Sequence, residues 1–134
     1  MRNYTEKQIQ RTLQKYDTVV ETVEITPDHI LSVVQVRDSY ELLDRLLVQE
    51  SAIRKVERFP YWAEVWPAAL ALATWLVNNR KDPPQGWVLE LGCGLGLVSM
   101  ALAMAGWRVE ASDYVEDALI FAQQCPTKSL IGQA

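Results

Sequence analysis

A short apolar run, a glycine-rich turn and a largely apolar helix follow one another late in the chain, and this succession constrains the fold most. The apolar run, residues 87–91, is bounded by turn residues, as is typical of a strand buried on both faces. The segment 90–96 reads Glu-Leu-Gly-Cys-Gly-Leu-Gly, and its glycines permit a sharp turn into a helix over 97–105. Gly106 is predicted to end that helix.

A second strand and a second helix follow directly. Residues 107–111 are predicted to form another buried strand, and residues 115–124 another helix. Strand, glycine turn, helix, strand and helix in this order predict a right-handed βαβ unit with a following helix. The predicted fold class is therefore α/β, with the first βαβα part of a Rossmann-like parallel sheet.

The first 58 residues are predicted to form an N-terminal α/β extension of helix, β-hairpin and helix. Capping-box spacing marks the start of each helix, because two side chains three positions apart can satisfy each other's backbone N–H groups. A high content of β-branched residues marks the two strands. The predicted helices cover residues 5–16, with Thr5 and Gln8 as the box, and a segment from Asp38, with Glu41; the strands cover 18–25 and 30–36, separated by Pro27 and Asp28. Residues 54–58 form a charged connector, and Pro67 suits the first turn of a further helix.

The residues around the glycines restrict the class of ligand that the turn can bind. The spacing is G-x-G-x-G, with Leu97 where a dinucleotide fingerprint needs its third glycine, so a nicotinamide oxidoreductase is disfavoured. Glu90 precedes the first glycine, where its carboxylate would repel a pyrophosphate and would suit a ligand that carries an ammonium group. No Lys-Ser/Thr pair follows the glycines, which disfavours a P-loop.

Asp113 is predicted to lie at the tip of the second strand. In a doubly wound sheet an acidic side chain there can accept hydrogen bonds from both ribose hydroxyls. It follows Gly96 by 17 residues, close to the spacing of about 20 that is typical of ribose carboxylates. The alternatives are an N-cap for Asp113, a solvated strand end for Glu90, and a tight turn without a ligand for the glycines.

Together these residues resemble motif I and the following acidic motif of class I S-adenosylmethionine-dependent methyltransferases. Upstream, residues 59–72 contain Trp66-Pro67-Ala68-Ala69, which resembles the Trp-x-x-Ala segment of the seven-β-strand methyltransferase family 16. That family includes many protein-lysine methyltransferases, and the resemblance covers residues 38–124. It implies that Trp66 helps to wall the cofactor site, whereas without it Trp66 would be interpreted as an aromatic anchor in a core.

The resemblance implies a protein-lysine N-methyltransferase that uses S-adenosyl-L-methionine, with a small-molecule acceptor as the alternative. Further strands of such a domain supply adenine contacts and much of the substrate pocket, so residues 59–134 correspond to the N-terminal half of a C-terminally truncated domain. A non-catalytic fragment or interaction module is the competing hypothesis. No catalytic residue is predicted, because His29, Tyr61 and Glu64 each have a simpler interpretation, as a turn, packing and an exposed charge. The cofactor-binding residues are predicted to be Trp66, Glu90, Gly92, Gly94, Gly96 and Asp113.

Composition excludes several other classes of protein. The net charge is −4 and the basic residues are dispersed, so no nucleic acid partner is expected. The longest apolar run, residues 67–77, is too short to span a bilayer and no signal peptide is visible, so a cytoplasmic protein without membrane contact is expected. One histidine and two cysteines predict neither a metal site nor a disulfide framework, and Cys93 is interpreted as a small buried side chain. An open sheet edge predicts low stability or self-association.

Overall fold

The computed structural model describes residues 3–53, 59–80 and 82–124, which form five helices and four strands. The elements in chain order are α1 (Glu6–Leu13), β1 (Thr18–Thr26), β2 (His29–Val36), α2 (Ser39–Ile53), a 3-10 turn (Tyr61–Ala63), α3 (Pro67–Asn79), β3 (Trp87–Leu91), α4 (Leu97–Met104), β4 (Arg108–Ser112) and α5 (Glu116–Ala122). Every predicted helix and strand is confirmed, within a few residues of its expected bounds. The charged connector 54–58 and the tail 125–134 lie outside the described residues. None of the described helices has the length and apolarity needed to cross a bilayer.

The N-terminal hairpin has the predicted antiparallel pairing. Its register runs from Thr18 opposite Val36 to Thr26 opposite His29, with one irregularity near the turn. Alternation along the strands turns one face inward, because successive side chains of a strand point to opposite sides. The inward residues are Val23, Ile25, Leu31 and Val33, all nearly inaccessible to solvent; Val36, on the opposite face, is also buried.

Side chains cap the first two helices as predicted. Thr5 Oγ1 accepts a hydrogen bond from the Gln8 N–H (3.2 Å), and Gln8 Oε1 accepts one from the Thr5 N–H (2.8 Å), so this capping box is confirmed. At α2, Asp38 Oδ1 accepts hydrogen bonds from the Tyr40 and Glu41 N–H groups, at 3.0 and 3.1 Å. These side chains satisfy backbone donors that have no partner inside the helix.

The second half of the chain forms the predicted strand–helix–strand unit. Strands β3 and β4 are parallel, in register from Trp87 opposite Arg108 to Leu91 opposite Ser112, and α4 connects them. Helix α4 ends just before Gly106, as expected; the Gly106 N–H donates to the Ala103 carbonyl and the Trp107 N–H donates to the Leu102 carbonyl, each at 3.0 Å. The parallel pair with its helix is compatible with a methyltransferase fold, and the wider Rossmann-like sheet stays a prediction.

The prediction that β3 is buried on both faces is wrong. Trp87, Leu89 and Leu91 are 47%, 58% and 78% exposed, whereas the side chains between them are half-buried on the other face. Among the described residues β3 has a strand neighbour on one edge only, which is β4. The apolar run therefore does form a strand, but no described part of the chain packs on one of its two faces.

One apolar core connects the predicted N-terminal extension with the βαβ unit. The rings of Tyr16, Trp62 and Phe121 pack edge to face in a triangle, with centroids 5.2–5.4 Å apart. Tyr16 also donates a hydrogen bond to Asp117 on α5. The segment between α1 and β1 is thereby attached to α5, and the division of the chain into domains 1–58 and 59–134 stays a prediction.

The last glycine of the loop is required for packing. Gly96 is the N-cap of α4 with φ +82°, and a Cβ at this position would lie 2.8 Å from the Ala122 Cβ. Gly96 itself is buried. Its lack of a side chain lets α5 approach the start of α4.

Replacing Gly96 with alanine is expected to lower the free energy of unfolding, because it adds backbone strain of about 1–3 kcal/mol and an overpacking cost of similar size. Gly86→Ala is the matched control, since Gly86 has φ +117° and an added Cβ there would meet nothing within 4 Å. Urea unfolding of both variants measures how much each substitution lowers the free energy of unfolding. Equal losses would contradict the packing role of Gly96.

The exposed face and open edge of β3 predict that the chain associates with itself or is poorly stable. Leu89→Lys and Leu91→Lys are expected to weaken association, because they place charge on that face. Val48→Lys is the control, since Val48 is 73% exposed on α2. Sedimentation velocity over a range of concentrations measures the effect. A monodisperse monomer with a sharp cooperative melting transition would contradict the prediction.

Candidate functional site

A cleft of about 410 Å³ lies where β3 ends, between the glycine loop and the segment that leads into α3. Parallel strands followed by helices commonly place ligands at the carboxyl ends of the strands. Four of the six predicted cofactor residues line this cleft, namely Trp66, Glu90, Gly92 and Gly94. The other two, Gly96 and Asp113, do not line it.

The loop presents open backbone to the cleft at its first glycine. Gly92 has φ +65°, and a Cβ there would meet nothing within 4 Å. The loop is fixed behind this point, since the Cys93 N–H donates to the Ser112 carbonyl and the Gly96 N–H to the Cys93 carbonyl, each at 2.9 Å. A ligand can therefore approach the main chain at Gly92 without displacing a side chain.

Glu90 places a half-buried carboxylate beside the loop. It accepts a hydrogen bond from Ser99 Oγ on α4, and Ser99 is wholly inaccessible to solvent. Burial raises the pKa of Glu90 above its ordinary value; the bond from Ser99 opposes this rise, and the negative charge of Asp113 adds to it. The alternative of a solvated strand end is wrong. A desolvated carboxylate at this position favours a cationic group in the cleft.

Ser99 was missed by the sequence reasoning, although its position carried a signal. It is the only hydroxyl-bearing residue in α4, which is otherwise apolar. A serine inside a buried helix needs a hydrogen-bond partner, and the acidic residue at the end of the preceding strand is within reach of the same helix.

Asp113 joins the glycine loop to the start of α5. Its Oδ2 accepts a hydrogen bond from the Gly94 N–H (2.8 Å) and its Oδ1 accepts one from the Val115 N–H (2.9 Å). The bond to Val115 resembles the proposed N-cap, but it forms a turn just before α5 begins. Asp113 also borders a separate shallow cavity of about 360 Å³ beside Tyr4 and Tyr114. Its role with a ribose stays a prediction.

Trp66 forms a rigid wall of the cleft. Its Nε1–H donates to the Tyr61 carbonyl (2.6 Å), and its ring lies against those of Tyr61 and Phe59, with centroids 5.6 and 6.2 Å away. It stands at the N-cap of α3, immediately before Pro67. The ring is therefore at the rim of an open cleft, half-buried, and not inside the core.

The three side chains considered as general bases have different surroundings in the structure. His29 lies in the hairpin, where its Nδ1 and Thr26 Oγ1 share a hydrogen bond (2.6 Å), so the turn interpretation is confirmed. Tyr61 packs on its aromatic neighbours, as expected, and lines the cleft. Glu64 also lines the cleft and accepts a hydrogen bond from Ser39 Oγ (2.8 Å), so its interpretation as a simple exposed charge is wrong.

Cys93 is buried, as predicted, and contributes no reactive thiol. Burial, together with the neighbouring charges of Glu90 and Asp113, raises the pKa of the Cys93 thiol to about 12. The thiolate is the nucleophilic form of cysteine, so this side chain is unreactive at neutral pH. No group of three or more metal-ligating side chains occurs within the described ranges.

Three curated relatives illustrate what the chain is similar to. It is 45% identical over 47 residues to the electron transfer flavoprotein beta subunit lysine methyltransferase of Danio rerio, covering 35% of this chain and 18% of that protein. It is 41% identical over 58 residues to the protein-lysine methyltransferase METTL21E of Mus musculus, covering 42% and 24%. It is 36% identical over 81 residues to the histone-arginine methyltransferase METTL23 of Xenopus laevis, covering 58% and 35%.

These alignments leave most of each relative unmatched, since they span between 18% and 35% of the relatives' length. The sequence profile of a family described as lysine methyltransferase matches residues 46–125, which is more than half of the chain. That range contains the glycine loop, Trp66 and Asp113, the residues on which the resemblance depended. The chain therefore belongs to the lysine methyltransferase family.

Proposed function

We propose that this chain binds S-adenosyl-L-methionine and serves the methylation of a lysine side chain in a protein. The single observation that carries the proposal is the half-buried Glu90 carboxylate beside the open backbone of Gly92, in a cleft walled by Trp66. The family match and the names of two relatives, which are lysine methyltransferases, support the choice of acceptor.

The residues of the cleft fit the methionine part of this cofactor. Its ammonium group needs an anionic partner with little competing water, and Glu90 provides one. The amino-acid end of the cofactor must lie against the loop, and the free space at Gly92 leaves room for it. Each carboxylate oxygen of Asp113 retains a second lone pair beyond its bond to a backbone N–H, and these could accept ribose hydroxyls. When bound, the cofactor supplies a methyl group on a positively charged sulfur.

The remaining residues of the cleft would position an acceptor. Methyl transfer requires a neutral amine in line with the methyl group, so alignment and exclusion of water account for much of the rate. Glu64, held by Ser39, would attract a lysine ammonium group to the rim of the cleft. Trp66 and Tyr61 would shield that path from bulk water.

Calorimetric titration with S-adenosylhomocysteine tests the proposal. Glu90→Gln and Asp113→Asn are each expected to weaken binding about tenfold or more, because each removes charge-assisted hydrogen bonds to the ligand. Asp44→Asn on α2 is the control, since Asp44 is exposed and lies in a different part of the chain. Absent binding, or binding that neither site variant changes, would overturn the cofactor proposal. A methyl-transfer assay on lysine and arginine peptides then tests the acceptor, and transfer to arginine alone would overturn the choice of lysine.

The raised pKa of Glu90 predicts how stability and binding depend on pH. Because the folded-state pKa lies above the ordinary 4.5, the contribution of protonated Glu90 to stability is complete below that value and is lost as pH rises through the raised pKa. Binding of the ammonium group favours the ionised form, so affinity for S-adenosylhomocysteine should increase over the same interval, with proton release. Calorimetry in buffers of different ionisation enthalpy measures that proton. Glu90→Gln should abolish the release, and an unchanged release in this variant would contradict the assignment.

A further inference from the structure

A second groove, of about 350 Å³, lies between β1 and the start of α3. Four consecutive residues of β1, Glu21 to Glu24, form one side of it, and Val65, Trp66, Pro67 and Leu70 form the other. Val65 and Trp66 also line the cofactor cleft, so these two residues form a wall that the two depressions share. A side chain that crosses this wall from the groove reaches the cleft.

The groove runs along the edge of a strand. Consecutive residues of a strand alternate between its two faces, so four in a row can border one groove only along the strand's edge. Within the described residues β1 pairs with β2 alone, which leaves this edge without a neighbouring strand. The edge of a sheet offers backbone donors and acceptors to an extended segment of another chain.

Carboxylates give the groove a negative charge. Glu21 and Glu24 are exposed on its β1 side, and the described residues that line it include no lysine or arginine. Gln35 fixes Glu21 next to the wall, because its Nε2 donates to the Glu21 carboxylate while its Oε1 accepts the Val65 N–H (3.2 Å). Opposite charges at close range are attractive, and an acidic edge therefore favours a cationic segment.

A third carboxylate continues the acidic path beyond the wall. Glu64 lines the cleft, where Ser39 holds it. Glu21 thus lines one of the two depressions that share Val65 and Trp66, and Glu64 lines the other. A lysine stem is apolar and its end is cationic, so it can cover the indole of Trp66 while its ammonium group moves from one carboxylate to the other.

We propose that a lysine-bearing extended segment of the protein substrate docks along β1 as an added strand, with its lysine side chain directed over Val65 and Trp66 into the cleft. The inference rests on the proposed function for the choice of lysine. It assigns the recognition of the acceptor to the N-terminal hairpin, which lies before the segment that matches the family.

The test is an NMR titration of the isotopically labelled chain with a short peptide of alternating valine and threonine around a central lysine. Amide shifts are expected along Glu21 to Glu24 and at Val65 and Trp66. A peptide with norleucine in place of lysine should bind about three- to tenfold more weakly, as loss of exposed charge pairs implies. A peptide methylated on alternate backbone nitrogens should lose binding, because it cannot form a strand ladder.

The matched protein variants have equal changes in net charge. Glu21→Gln with Glu24→Gln should weaken binding of the lysine peptide about three- to tenfold, whereas Glu6→Gln with Asp44→Asn should leave it unchanged. Both pairs consist of exposed carboxylates, so neither is expected to unfold the chain. Equal weakening by both pairs would overturn the inference, because it would reflect net charge alone.

The same titration separates this inference from the proposed function. Peptide shifts confined to the open edge of β3, or a lack of peptide binding by a chain that binds S-adenosylhomocysteine, would overturn the docking site and leave the cofactor proposal standing. Peptide shifts along β1 in a chain that fails to bind S-adenosylhomocysteine would support the docking site and overturn the cofactor proposal.

Discussion

The carboxylate of Asp113 holds together the parts from which the cleft is built. By accepting the N–H groups of Gly94 and Val115, it connects the glycine loop to the start of α5. Helix α5 in turn places Ala122 against Gly96 and contributes a ring to the triangle that contains Trp62. The Cα of Trp62 lies 3.7 Å from the position that a Cβ at Gly94 would occupy, so Trp62 also packs beside the glycine loop. A flexible glycine sequence thereby acquires one defined conformation.

Much of the fold could be predicted because its signals are local. Capping at Thr5 and Asp38, the termination of α4 at Gly106 and the β-branched strands of the hairpin each depend on a few neighbouring residues. The exposure of one face of β3 could not be predicted, since burial depends on what distant segments supply. The hydrogen bonds from Ser99 to Glu90 and from Ser39 to Glu64 could not be predicted either, because a sequence does not show which polar groups meet.

The candidate site shows the same division. Spacing and family resemblance predict Trp66, Glu90, Gly92 and Gly94 as site residues, and all four line one cleft. The pattern G-x-G-x-G could not show that Gly92 opens towards a cleft while Gly96 makes room for a helix. Both glycines have positive φ, and only the surroundings of each one show that Gly92 faces open space while Gly96 is required for packing. The groove along β1 had no sequence signature, since its two sides come from segments far apart in the chain.

The burial of Cys93 has a consequence for the loop under oxidising conditions. Oxidants and alkylating agents attack thiolates, and a cysteine between two glycines of a turn beside a cleft would be a sensitive target if it ionised in solvent. Here the sulfur is shielded, and the thiol retains its proton throughout the physiological pH range. A cysteine in this loop therefore fills space in the core and is not a site at which oxidation would inactivate the protein.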